Sequence, residues 1–232
     1  MAEGILDADR DNVGTPGAAQ RASALVWIAE AQAEAGNMDG ARRTIVAAVA
    51  AAERIPEVAA ADRISMDWRA SVFGSIAEAQ AGAGDVDGAF RTAERIPSYE
   101  YDALDGIALG QAKSGDVEGA LLTADRISNG LIRARIFEQI AVTQAEAGDA
   151  EGARPTLQAA VTTAERIPLS LGIQGFVLEN IALAQAKAGE VEGALRTAER
   201  VPEANGRAKA LARIAIALVQ ADRAAGRRPA AK

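Results

Sequence analysis

The chain has 232 residues, 49% of them apolar, with no Cys, no His and a net charge of −7. That composition excludes thiol and imidazole catalysis and the zinc sites built on those ligands. The acidic balance argues against a general binder of nucleic acid or anionic membranes, which needs a basic face.

Residues Met1 to Gln20 are polar and hold no apolar stretch resembling a signal peptide, so the chain as given is expected in the cytoplasm. No apolar run is long enough to cross a bilayer, and membrane insertion is not expected. Ile5-Leu6-Asp7-Ala8-Asp9-Arg10 parallels Leu121-Leu122-Thr123-Ala124-Asp125-Arg126. Residues 1–20 are therefore expected to be a degenerate half-repeat or cap, broken at Thr15-Pro16-Gly17.

From Arg21 a helical register recurs, with apolar residues at i, i+3 and i+4 and a Gln at i+7. It reads Leu25, Ile28, Ala29, Gln32; then Phe73, Ile76, Ala77, Gln80; then Leu104, Ile107, Ala108, Gln111. It continues as Phe137, Ile140, Ala141, Gln144 and Leu178, Ile181, Ala182, Gln185, and an altered sixth copy has Leu211, Ile214, Ala215, Leu218. Each of the five full copies runs into a turn of the form Gly115-Asp116-Val117-Glu118-Gly119-Ala120. The leading Gly stops one helix, and the Asp, Asn or Glu after it caps the next, Glu190 being the weakest of these caps. A second helix follows, closing on Arg54, Arg95, Arg126, Arg166 or Arg200; Pro follows Ile or Val there, except that Ser128 takes its place once. Insertions around Val46 and Ala160 are predicted to lengthen two of these second helices by about two turns. Between Pro56 and Phe73, Ala61 to Ser65 reads as a short extra helix. Residues 21–222 then hold five helix pairs and a capping helix, and 223–232 a basic flexible tail.

Helix pairs repeating every 31 to 48 residues (Ala77 to Ala108, and Ala29 to Ala77) are the mark of a helical-repeat array. The copies resemble tetratricopeptide repeats from Arg21 to about Gln220. The family's small residue in the first helix matches Ala29, Ala77, Ala108, Ala141 and Ala182. Its small residue in the second matches Ala41, Ala89, Ala120, Ala153 and Ala194. The family's aromatic near the end of the first helix is replaced by Gln. The resemblance implies an all-α fold, a right-handed α-solenoid of helix-turn-helix repeats, whose concave groove holds a protein or peptide.

Asp85-Val86-Asp87-Gly88 opens like a calcium loop but lacks the further acid and the distant Glu, so it reads as a cap. No metal, cofactor or catalytic constellation is expected. The expected function is non-catalytic binding of a protein or peptide. The alternatives are a self-assembling structural role through stacked end repeats, and a small-molecule sensor near Trp68. Counting around each first helix, the groove residues are Glu30, Glu34, Glu78, Asp102, Asp105, Lys113, Arg135, Glu138, Glu146, Glu179 and Lys187, with Lys209 among the cations. Acids outnumber cations in that set, which favours a basic partner. Trp27, Trp68, Tyr99 and Tyr101 are gap fillers between irregular repeats or aromatic anchors for a ligand. The five matched Gln residues are expected to be structural, bonded to backbone groups of the adjoining second helix or of the next repeat's turn.

Overall fold

Eleven α-helices and no strand make up the regular structure of the described residues, 15–55, 63–96, 103–169 and 172–226, in a computed structural model of the chain. They are α1 (Thr15–Glu34), α2 (Met38–Ala52), α3 (Arg63–Gly82), α4 (Val86–Ala93), α5 (Leu104–Lys113), α6 (Val117–Asp125), α7 (Gly130–Glu146), α8 (Ala150–Glu165), α9 (Gln174–Lys187), α10 (Val191–Glu199) and α11 (Ala204–Gly226). The chain divides into two compact units, Met1–Asp116 and Val117–Lys232. The division falls at the third Gly-Asp turn, a feature the recurring punctuation of the sequence gives no hint of.

In unit 1, α1 packs on α2 and α3, α2 on α3, α3 on α4 and α5, and α4 on α5. In unit 2, α6 packs on α7, α7 on α8 and α9, α8 on α9, α9 on α10 and α11, and α10 on α11. Contacts of this kind, each element to its neighbours in the chain, are those of repeat proteins. The core is made of the register positions: Phe73, Ile76, Ile107, Ile140 and Ile181 are fully buried, as are the Ala residues that face one another between first and second helices. The lengthened second helices are seen as such, α2 having 15 residues and α8 16, against 8 in α4 and 9 in α6 and α10.

Every turn is built the same way. Gly36, Gly84, Gly115, Gly148 and Gly189 have φ between 77° and 91°, the left-handed region that only Gly enters cheaply. Each donates its amide three residues back, and the next residue donates five residues back to the carbonyl of the register Gln, as Asp149 does to Gln144 at 2.9 Å. These two bonds close the first helix in a Schellman motif. The residue that makes the longer bond also caps the following helix. Asn37, Asp85 and Asp149 accept from Gly40, Gly88 and Gly152 at 3.0, 2.9 and 2.8 Å. The second Gly of the turn is required for room, since a Cβ on Gly88 or Gly152 would overlap the capping carboxylate. Glu190 makes no such bond, in keeping with its longer side chain.

Four of the five Gln side chains find side-chain partners rather than the backbone groups expected. Thr44 donates to Gln32 and Thr156 to Gln144, both at 2.8 Å, and Gln111 and Gln185 donate to the turn acids Asp116 and Glu190 at 3.0 and 3.3 Å. A Thr stands twelve residues after the Gln in all five copies, at Thr44, Thr92, Thr123, Thr156 and Thr197. Gln80 and Gln185 keep a buried Oε1 without a donor.

A second recurring device joins one helix pair to the next. Arg69, Arg133 and Arg207, each eight residues before the mid-helix Ala, donate to carbonyls just past the end of the preceding second helix: to Ile55 at 2.9 Å, Ile127 at 3.2 Å, and Val201 and Pro202 at 2.9 Å. In α9 the same place holds Gln174, which donates to Ala164, Glu165 and Ile167. The chain leaving a second helix is thereby tied to the helix that follows, and in α9 the tie reaches the last carbonyls of α8 itself. Exposed pairs Arg95–Glu53 at 2.7 Å and Arg200–Glu165 at 2.9 Å tie the ends of second helices and add little, about 0–1 kcal/mol each.

Three boundaries differ from the sequence reading. Thr15-Pro16-Gly17 opens α1 instead of breaking the chain, because Pro is tolerated in a first helical turn. The extra helix read near Ala61 is, in its described residues, the start of one 20-residue helix, α3. The basic tail begins as helix, α11 running to Gly226. One measurement checks the buried polar contact: Gln144→Leu or Thr156→Val alone should cost about 1–3 kcal/mol in urea unfolding. The double change should cost less than the sum of the two.

Candidate functional site

One face of the first helices carries most of the residues expected in the groove. In unit 1, Glu30 and Glu34 of α1, Glu78 of α3 and Lys113 of α5 surround a hollow of about 360 Å³ between α1 and α3. Buried Ala29, Ala41 and Ala79 floor it, with Ala33 and Met38 beside them. Lys113 Nζ lies 2.6 Å from Glu78 Oε1. Burial raises the Glu30 carboxyl above its ordinary range, the charges of Glu78 and Glu34 add to that, and Lys113 opposes it. Burial pulls the Lys113 ammonium down, but its hydrogen bond to Glu78 and the three carboxylates outweigh this and leave it raised.

A second hollow, about 410 Å³, lies between α3 and α5, lined by Ser71, Gly74, Ser75, Glu78, Asp105 and Gly106 among others. Beside it, glycines let the two helices approach closely. A Cβ on Gly110 would come 2.8 Å from Ala81 Cβ and 2.9 Å from Gly82 N, and one on Gly106 would come 3.3 Å from the Gly74 carbonyl.

In unit 2 the corresponding hollow, about 250 Å³ between α7 and α9, is lined by Glu138, Glu146, Asn180, Lys187 and Arg213 over Val142, Leu183 and Ala184. Burial raises Glu138, against the pull of Arg135, Arg213 and Lys187. Charges here balance, two carboxylates against two cations, where the α1–α3 hollow has three carboxylates against one.

Glu179, expected in the groove, is instead buried, 7% exposed at its side chain. Lys209 Nζ lies 2.9 Å from Glu179 Oε2, within ion-pair reach but out of hydrogen-bonding alignment, and Arg213 lies 3.8 Å away. The helix α11 covers it, and Gly206 leaves the room, a Cβ there lying 3.3 Å from Glu179 Oε1. Arg135 is exposed and lines none of these hollows. Trp27 is 71% exposed on α1, so it fills no gap. Trp68 belongs to α3, but its side chain lies outside the described residues, as do Asp102, Tyr99 and Tyr101.

Sequence reasoning missed Arg213, which donates to Asn180 Oδ1 at 3.0 Å. Its place two residues before Ala215 matches that of Asn180 before Ala182, so the register itself was a usable signal. The serines and glycines of the α3–α5 hollow were missed because nothing in helical periodicity marks a close backbone approach. Among the described residues no group of three acidic side chains converges on a point where a metal could sit. No protein-family model matches the sequence, and no curated protein or solved structure is significantly similar to it.

The raised Glu30 carboxyl has a definite sign for stability. Ionising it is harder in the folded chain than in the unfolded one, so its penalty is absent below the ordinary carboxylate value and develops as pH rises through the raised folded value. Lys113→Met should raise the Glu30 titration further and Glu78→Gln should lower it, as read by carboxyl carbon NMR. Unchanged titration in both variants would contradict the electrostatic description of the hollow.

Proposed function

We propose that the chain is a non-catalytic helical-repeat protein of tetratricopeptide-like kind, its helix pairs wound in right-handed solenoid order, that holds a protein or peptide against the faces of its first helices. The observation that carries this reading is the placement of hollows at the same register positions of first helices, on α1, α3 and α5 within unit 1 and on α7 and α9 within unit 2. Each hollow has an apolar or backbone floor and charged side chains around it. Pockets with a few polar groups set around an apolar surface suit recognition of side chains from an extended segment. The sequence has neither thiol nor imidazole to offer a reaction.

A second reading, association between copies of the chain, is favoured by one observation. The last helix, α11, holds Leu211, Ile216 and Val219 at 42%, 57% and 49% exposure, where the other first helices bury the position of Leu211. Growth of mass with concentration in light scattering, abolished by Leu211→Gln with Val219→Gln, would favour that reading.

The peptide-binding reading is tested by site-specific photocrosslinking in a native extract. A crosslinker at Ser75 or Glu146, on the first-helix faces, should capture a discrete partner. One at Val46 or Leu122, exposed on second helices, should not. Capture from the second-helix positions alone would contradict the proposal.

A further inference from the structure

The hollow between α1 and α3 differs from its unit 2 counterpart in what it lacks. Glu78 is already matched by Lys113 at 2.6 Å. Among the described residues, Glu30 and Glu34 have no ion-pair partner of their own. Three carboxylates thus share the one ammonium of Lys113 beside a mainly apolar cavity of about 360 Å³ whose floor is alanine, an excess of negative charge. The counterpart between α7 and α9 brings Lys187 and Arg213 to Glu138 and Glu146 and has no such excess.

We propose that the α1–α3 hollow is a docking site for a lysine side chain of the partner, its alkyl stem on Ala29, Ala33 and Ala79 and its ammonium between Glu30 and Glu34. This rests on the peptide-binding reading above and names the side chain that one hollow selects. Three features of the hollow select lysine. Small floor residues leave space for an unbranched stem, and such stems lie readily along apolar surface while the charge stays at the edge. The excess negative charge is complementary to a cation, and complementarity of this kind sets specificity more than raw affinity. The carboxylate set already takes an ammonium, that of Lys113, whose attraction to Glu30 and Glu34 adds to its bond with Glu78. Glu30, partly buried beside the hollow, gains from an added cation, because its charge is less screened by water than a fully exposed one.

The test is an NMR titration of the full chain with the peptide Gly-Ser-Ser-Lys-Ser-Ser-Gly and with its acetyl-lysine and arginine counterparts, at low salt. The lysine peptide should shift the amides around Glu30 and Ala79 and lower the Glu30 titration. The acetylated peptide should bind roughly tenfold more weakly, and the arginine peptide more weakly than lysine. Glu30→Gln with Glu34→Gln should weaken the lysine peptide by a similar factor, and Glu138→Gln with Glu146→Gln should change it less than about twofold. Lys113→Met should tighten binding by freeing Glu78, a gain that misfolding cannot mimic. No response to the lysine peptide, equal response to the acetylated one, tighter arginine binding, or loss with Lys113→Met would each overturn the lysine site. Crosslinking from Ser75 is read separately, so a failed lysine site and a failed peptide-binding reading give different results.

Discussion

The hydrogen bond from the turn acid or Asn amide to the carbonyl of the register Gln, made five times at 2.8 to 2.9 Å, is the constraint on which the rest of the structure depends. It requires a left-handed residue just before it, which the leading Gly supplies. The same residue that makes this bond begins the next helix, so the angle between the two helices of a pair is set by one short segment. With that angle fixed, Ala can meet Ala between the helices, and the helices can approach closely enough to bury a core that holds few large side chains. The Gln side chain is carried to the same junction and in four of the five copies bonds there to a Thr of the second helix or to the turn acid.

Much of this was legible in the sequence. The Gly-acid turn, the small residues at fixed places and the two lengths of second helix all leave local marks, because each depends on conformational preference or on periodicity. The Thr twelve residues after each Gln was equally visible but unread, since a Thr in a helix has no fixed role until a partner faces it. Other features leave no local mark. The contact of α3 with α5 through Gly106 and Gly110 depends on two helices far apart in the chain. The division into two units at Asp116 falls within a motif that is the same in the other copies.

The candidate site was legible as a direction but not as a depth. Counting around a helix puts Glu30, Glu78, Glu138 and Glu179 on one side. It cannot say that Glu179 is sealed beneath α11 and matched by Lys209, while Glu30 stays half-buried beside an open hollow. Nor does a tally of charges along the whole chain describe the faces. Unit 1 gathers excess carboxylate around α1 and α3, whereas unit 2 balances its acids with Lys187 and Arg213. Charge is allotted hollow by hollow, which is what a surface needs if different side chains of one partner are to be told apart.

The most direct test of the central claim is made at Gly148, whose φ is 91° and whose absent Cβ would touch nothing within 4 Å. L-alanine and D-alanine placed there by semisynthesis differ only in handedness. If the left-handed turn governs the fold, the L form should lose about 1–2 kcal/mol of stability in urea unfolding, and the D form should match or exceed glycine. Equal stability of the two forms would contradict it.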